Sequence, residues 1–353
     1  MDFIKISGFK SIKDTEIIIK PINILIGANG AGKSNFISFF EFLYNLYNRK
    51  LNEYVSLRGG EEKILHKGPK QTSEINFLTS FNNGQNGYNA SLILGDTGFI
   101  FNNEFLVYRN DKGRNINEFG KEANLKITDN SRAKYVIKFL EGCRKYHFHD
   151  TSKTSPFTKM SHIVNDSYYL YEDGQNLMAF LYFVNQTQKV VYNRIISTIQ
   201  SIAPYFSDFI FLPNAEGYIR LQWQDKFSST IYGANDFSDG TLRFIALTTL
   251  FLQPNLPSTI IIDEPELGLH PSAITKLAGM IKSVSARETQ VIVATQSADL
   301  VNHFEPDDIV TVDQTNGESR FKRLIKDELT EWLDDYSIGD LWQRNIIQGG
   351  QPK

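Results

Sequence analysis

The run Gly27-Ala28-Asn29-Gly30-Ala31-Gly32-Lys33-Ser34, followed by Asn35, constrains this chain more than any other feature. It fits the spacing G-x-x-x-x-G-K-[ST]. Glycines there tolerate positive φ, so successive backbone N–H groups turn inward, and such a nest cradles phosphate. The apolar run Pro21 to Ile26 precedes it. After it, Phe36, Phe39, Phe40, Leu43 and Leu46 share one helix face. A loop between a strand and a helix gains the positive end of that helix. Lys33 is then placed to neutralise the β- and γ-phosphates, and Ser34 to ligate Mg²⁺. The competing reading is a chance glycine turn beside a lysine. The flanking strand and helix argue against it.

Composition permits a large folded core. Of 353 residues, 41% are hydrophobic and 22% charged, which excludes a fibrous or disordered chain. A net charge of −3 excludes a strongly basic coat for nucleic acid and leaves room for a local basic patch. One cysteine, Cys143, leaves no internal disulfide and fits a reducing cytosol; a small packed thiol is its simplest reading. Met1-Asp2-Phe3-Ile4-Lys5 opens straight into alternation, without the regions of a signal peptide. No stretch approaches the roughly 18 apolar residues of a membrane span. The expectation is a soluble, cytoplasmic protein.

Phe3 to Phe9 and Glu16 to Ile19 read as strands. Residues 73–108 alternate around Asn82-Asn83-Gly84 and Asn86-Gly87, predicting antiparallel hairpins. From Ala133 to Tyr205 the pattern turns helical and aromatic. Thr259 to Ile262 and Gln290 to Ala294 are short apolar runs suited to a covered parallel sheet, and the pattern from Ser272 to Ser283 between them is helical. That is a βαβ unit. Gly349 to Lys353 reads as a flexible tail. The chain divides into a core part with the glycine loop (1–150), a helical insertion (151–236), a second core part (237–330) and a C-terminal tail (331–353). No repeat, low-complexity tract or long heptad run appears.

Two further motifs carry chemistry. Ile260-Ile261-Ile262 leads into Asp263-Glu264-Pro265, placing two carboxylates where a buried strand leaves its sheet. Ligands of open α/β sheets bind at such strand ends. Asp263 suits Mg²⁺, and Glu264 suits a general base polarising water. Asp-Glu-Pro also reads as a helix cap with a first-turn proline. Phe237-Ser238-Asp239-Gly240-Thr241-Leu242-Arg243 precedes a helix over Leu242 to Phe251. Ser238 and Gly240 at a helix start make a second anion site, or simply an ordinary cap.

The order of the three motifs resembles the ABC-type ATPases, closest to the RecF/SMC/OLD-like branch and its small stand-alone AAA-type members. Phe9-Lys10-Ser11-Ile12 is similar to that branch's opening segment, and Asn29 and Asn35 match its glycine loop. Leu57-Arg58-Gly59-Gly60, with Ile64 to Gly68, is similar to the segment whose arginine reaches the phosphates in SMC heads, marking Arg58. A solvated loop arginine is the alternative. Tyr336 to Trp342 with Gly349-Gly350-Gln351-Pro352 resembles the family's ending. Tyr146 to Asp150 and Asp173 to Leu177 also resemble family segments. His147 and His149 alternate onto one strand face. A metal site lacks a third ligand there, and an approach of His149 or Asp150 to Mg²⁺ fits better. No Q-loop glutamine stands out. Two positions depart from the pattern: His270 takes the place of the D-loop aspartate, and Gln296 that of the switch histidine. Glutamine can hydrogen-bond a phosphate or the lytic water but does not titrate near neutral pH. Slow hydrolysis is therefore expected.

The resemblance implies an α/β, ABC-type core, with a mostly parallel sheet, an antiparallel β part and a compact helical lobe. The stretch between Ser34 and Ser238 is too short and too aperiodic for a long coiled coil. Phe180, Tyr182, Phe183, Tyr192, Tyr205, Phe206, Phe209 and Phe211 are expected as the lobe's core, with base stacking as the rival use. The nuclease domain fused in OLD relatives would need more chain than follows Leu324. The resemblance also implies ATP and Mg²⁺ as cofactors. It implies a head-to-tail homodimer in which Lys33, Ser34 and Asp263 of one subunit face Ser238 and Gly240 of the other. Glu264, Gln296 and Lys33 would carry hydrolysis. The implied role is the ATPase or sensor of a prokaryotic anti-phage defence system with a separate effector, a nuclease or toxin. Two alternatives stay open. One is a DNA-repair ATPase clamping duplex DNA through Lys67, Lys70, Lys121, Lys126, Arg132 and Lys134. The other is an ATP-gated scaffold restraining a partner protein.

Overall fold

A computed structural model describes residues 1–109, 111 and 113–350. Strand β1 (Phe3–Phe9) buries Ile4 and Ile6 and exposes Lys5, the period-two signature of a half-covered strand. It pairs antiparallel with β2 (Ile12–Ile18). β3 (Ile22–Ile26) is buried throughout, including Asn23, whose Nδ2 donates to Lys20 O at 2.7 Å and Val291 O at 3.2 Å. α1 (Lys33–Tyr47) follows the glycine loop, then α2 (Leu51–Leu57) and the single turn α3 (Glu61–Ile64). β4 (Glu74–Phe81), β5 (Asn86–Gly95) and β6 (Gly98–Tyr108) form the expected meander. The Asn82-Asn83-Gly84 turn is present, with φ of 58°, 55° and 75°. Asn86-Gly87, expected as a second turn, instead opens β5 opposite Phe81 and Ser80, because the preceding asparagines already reverse the chain. α4 (Ala133–Glu141) and β7 (Cys143–Tyr146) complete this stretch.

The next stretch carries β8 (Ser161–His162), α5 (Leu177–Thr187), α6 (Lys189–Gln200), β9 (Phe206–Phe209), β10 (Tyr218–Ile219), β11 (Gln222–Asp225) and β12 (Ile231–Gly233). Over residues 151–236 the expected helical lobe therefore holds two α-helices and two single 3-10 turns, Pro156–Thr158 and Ala234–Asp236. Short alternating segments pair instead as β12-β11-β9 and β10-β8. Of its expected core, Phe180, Tyr192, Phe206 and Phe209 are buried. Tyr182, Phe183, Tyr205 and Phe211 are half-buried. Trp223 fills the centre, stacked 4.3 Å from Phe237. α7 (Asp239–Leu252), β13 (Thr259–Asp263) and α8 (Pro271–Ser285) come next. β14 (Gln290–Thr295), α9 (Ala298–Val301), β15 (Ile309–Thr315), β16 (Glu318–Arg323), α10 (Lys326–Leu333) and α11 (Ile338–Gln343) close the chain.

The main sheet has the order β16-β15-β3-β14-β13-β7. β3 lies between two parallel neighbours, with Val291 to Thr295 of β14 opposite Ile22 to Ile26. A second sheet, β2-β1-β4-β5-β6, is antiparallel where its register is seen. This is the expected mostly parallel sheet with an antiparallel part, and among the described residues no helix exceeds the 15 residues of α1 and α8. Among them also, no helix is long and apolar enough to cross a membrane.

The chain forms two compact units. One holds Met1–Lys145, Ser258–Ile261 and the chain from Gln290 onward; the other holds Tyr146–Pro257 and Ile262–Thr289. In the first, α1 turns Phe36, Phe39, Phe42 and Leu46 into the core, where Phe39 meets Phe9 edge-on at 5.2 Å. Burying each such ring contributes roughly 1.5–3 kcal/mol. Gly349 and Gly350, expected in a flexible tail, are held in this unit. Gly349 N donates to Asp313 Oδ1 at 2.8 Å and its carbonyl accepts from Trp342 Nε1 at 2.6 Å. Gln351, Pro352 and Lys353 of that expected tail lie outside the described residues.

Candidate phosphate-binding site

In the first unit the glycine loop joins the buried end of β3 to α1. Its glycines differ in what demands them. A Cβ on Gly27 would sit 2.3 Å from Val312 O, and one on Gly32, where φ is 115°, 2.0 Å from Ser319 Oγ. These two are fixed by packing on β15 and β16. Gly30, with φ of 78°, has no atom within 4 Å of its Cβ position. The side of the loop at Gly30 is open space.

Lys33 is only 5% exposed, and its ammonium donates back to Gly27 O at 2.6 Å and Ala28 O at 3.0 Å. α1 begins with no side-chain cap and no acid in its first turn. An acid there would repel an anion, so the helix end is left positive. Ser34 is exposed at that end. These features fit a phosphate chain and a divalent cation at Ser34.

Ser11 proves to be a staple. Asn35 Nδ2 donates to its Oγ at 2.7 Å, Ser319 Oγ lies 2.7 Å from the same atom, and Ser319 Oγ also reaches Ala31 O at 2.6 Å. The opening segment, the loop and β16 are thus one hydrogen-bonded assembly. Beside it opens a cavity of about 870 Å³, lined by Lys10, Ser11, Asn35, Arg58, Lys67 and Lys70 among others. Arg58 reaches this wall, though its guanidinium is held by Glu41 and lies 5.5 Å over Tyr54. Glu41 also binds Lys145 at 3.0 Å. Burial pushes the Glu41 carboxyl up, but Lys145 and Arg58 overcome it and hold the group below its ordinary value. Burial, aided by the Arg58 charge, pulls Lys10 down to about 8.

Gln296 follows Thr295, which pairs with Ile26 just before the loop. Gln296 is exposed, and Ser297 behind it caps α9 through Leu300 N. The loop, Arg58 and Gln296 therefore belong to one unit.

The second unit holds the other two motifs. Ser238 caps α7, its Oγ accepting from Thr241 N at 3.2 Å. Gly240 has a packing reason of its own: a Cβ there would meet Gly268 O at 2.2 Å. Asp263 ends β13 half-buried. Glu264, also half-buried, takes φ of 42°, which is strained for a residue with a Cβ. His270 caps α8, its Nδ1 accepting from Ser272 N at 3.3 Å. β7 ends at Tyr146, so His147 and His149 lie beyond the strand that was expected to carry them. Their rings still meet at 4.6 Å, and among the described residues no group of three metal-ligating side chains forms.

Arg243 had no role in the sequence reading. It is 5% exposed and donates from Nε to Phe148 O at 3.1 Å, from Nη2 to His149 O at 3.1 Å, and from Nη1 to Leu267 O. Burial lowers its proton affinity against the pull of Asp239 and Glu266. The available signal was one arginine inside the apolar run from Leu242 to Leu247 of α7.

The sequence matches, over residues 22–302, the family described as "AAA domain, putative AbiEii toxin, Type IV TA system". It is 23% identical over 384 residues to the Old nuclease of Escherichia phage P2, covering 93% of this chain but 61% of that protein. Among solved structures, an Smc head bound to the C-terminal winged-helix domain of ScpA superimposes with a TM-score of 0.63 at 16% identity, over 94% of this chain and 99% of that one. An Smc head with an extended coiled coil, bound to the C-terminal domain of ScpA derived from Pyrococcus furiosus, gives 0.59 at 16% identity, over 95% and 98%.

Proposed function

We propose, for a chain that belongs to this AAA family and is an ABC-type ATPase of the SMC, RecF and OLD class, that it works as a nucleotide-gated dimeric switch. The observation that carries this reading is the divided chemistry of the chain. The phosphate nest at Gly27 to Asn35, with Gln296, is built in one unit. The capped serine Ser238 and the carboxylates Asp263 and Glu264 are built in the other.

In this reading Lys33 releases the carbonyls of Gly27 and Ala28 and binds the β- and γ-phosphates of ATP. The backbone around Gly30 faces the phosphate chain. The cavity shared by Lys10, Ser11, Asn35 and Arg58 takes the remainder of the nucleotide. Its volume lies within the range of small-molecule sites, about 300–1,000 Å³. Ser34 and Asp263 would hold Mg²⁺, which supplies charge neutralisation on the phosphates. Glu264 accepts the proton of the attacking water, and Gln296 orients that water. Ser238 and Gly240 of a second copy close over the γ-phosphate. ATP binds the closed dimer more tightly than the open one, and so favours it. Gln296 cannot take a proton near neutral pH, so turnover is slow and the closed state long-lived.

The biological role we infer is the ATPase of a defence system acting on a separate effector. The match to the Old nuclease, of which the chain spans 61%, supports a nuclease as that effector's class. Sedimentation tests the switch. Glu264→Gln with ATP should run as a dimer, while Lys33→Ala should stay monomeric under the same conditions. A monomeric, ATP-saturated Glu264→Gln protein would sink the reading. One observation favours a DNA clamp as the second reading: Lys10, Arg58, Lys63, Lys67 and Lys70 line one cavity. Duplex binding that weakens steeply with salt, by a log–log slope of about one per phosphate contact, would support it.

A further inference from the structure

The turn after β13 takes an unfavourable backbone shape, and α7 lies against it. Glu264 takes φ of 42° and Gly268 takes 75°. Within the turn, Leu267 N donates to Glu264 O at 3.3 Å, and Leu269 N to Glu266 O at 2.9 Å. Two contacts from α7 restrain it. Gly240 lies against the Gly268 carbonyl with no room for a Cβ, and Arg243 Nη1 donates to Leu267 O. The other arms of the same guanidinium grip Phe148 O and His149 O, both at 3.1 Å. Three carbonyls from two loops thus converge on one buried fork. Only arginine offers planar donors in that geometry; a lysine ammonium is a point charge and cannot span them.

We propose that Arg243 is a positioning residue for hydrolysis. It locks the Glu264 turn in its left-handed shape and couples that turn to the start of α7. Ser238 caps the same helix start, so whatever seats Ser238 also seats Glu264. Engagement of the serine by nucleotide on one face would therefore set the carboxylate on the other. This rests on Glu264 being the general base.

The experiment compares full-length wild type, Arg243→Lys, Glu264→Gln and the double variant, by steady-state hydrolysis and by titration with a fluorescent ATP analogue. Arg243→Lys should lower kcat by about 10- to 100-fold, the cost of a misplaced reacting group. Its affinity for the analogue should stay within about threefold, the pattern of a loss confined to the transition state. The double variant should be no slower than Glu264→Gln alone, because both act through one group. Unchanged kcat in Arg243→Lys overturns the proposal. So does a double variant slower than either single one, since Arg243 then acts elsewhere. If Glu264→Gln itself hydrolyses like wild type, the general-base reading fails first, and Arg243 loses its target. Should Arg243→Lys fail to fold, Gly268→Ala serves. Its Cβ would lie 3.2 Å from Arg243 Nη1, so the fork must shift by a few tenths of an ångström, and its φ of 75° strains the turn itself without changing the arginine. A fall in kcat with affinity kept supports the coupling. Full activity overturns it.

Discussion

Gly30 and Gly240 both sit in motifs read as phosphate-binding, yet the molecule needs them for opposite reasons. Gly30 borders empty space and needs no side chain because its backbone must turn to φ of 78°. Gly240 has ordinary backbone angles and needs no side chain because Gly268 O occupies the place of its Cβ. One glycine keeps a ligand's space open; the other lets two segments of the same chain touch. A motif can therefore match a ligand-binding pattern while part of its composition is spent on internal contact.

The largest effect expected from this contrast lies at the lysine. Lys33→Ala removes charged hydrogen bonds to phosphate and should weaken ATP binding by about 10- to 100-fold. The same change removes the ammonium's bonds to the carbonyls of Gly27 and Ala28, so its effect on folding is measured separately. Isothermal titration beside urea unfolding separates the two. Next comes the glycine pair. Gly240→Ala overpacks against Gly268 and should cost about 1–3 kcal/mol of stability by urea unfolding. Gly30→Ala should cost about 1–2 kcal/mol, all of it backbone strain. Replacing Gly30 by Asn, which tolerates positive φ, should recover part of that loss, whereas Gly240→Asn should be worse than alanine. If both positions respond to asparagine alike, the contrast fails.

Ser238→Ala removes a helix cap and should cost about 1 kcal/mol. A larger fall in hydrolysis than in stability would mark the serine as part of the nucleotide site. The smallest effect is in pH. Burial lowers Lys10 to about 8, so it is charged below that value and neutral above it. The unfolded chain keeps its Lys10 proton to its ordinary value of about 10.4. Between these limits the unfolded state binds more protons, so this residue's contribution to stability rises with pH. Nucleotide affinity should move the other way, weakening as pH passes 8, because the cavity wall loses a charge. Lys10→Gln should flatten both trends in titrations on either side of that pH.

The glycine loop was legible because its instructions are local. Pro21 to Ile26, the loop and the apolar stripe of α1 all lie in consecutive residues. The βαβ unit over Thr259 to Thr295 was legible for the same reason. The small sheets of residues 151–236 were not. Their strands are two to four residues long, too short to show a period, and aromatic residues there suit a helix face equally well. The role of Arg243 was not legible in its motif because its partners, Phe148 and His149, lie 95 and 94 residues away. A buried charge leaves no local trace of what neutralises it. Ser11 was noticed for its family resemblance, and its bond to Ser319 across 308 residues gives it a physical purpose.

The end of the described chain has one more consequence. Gly349 sits with its Cβ position 3.6 Å from Gly27 Cα, and its carbonyl holds the indole of Trp342. Trp342 is one of three tryptophans and is almost wholly buried. Its emission should therefore shift when ATP fills the glycine loop, and a Trp342→Phe variant should lose that shift.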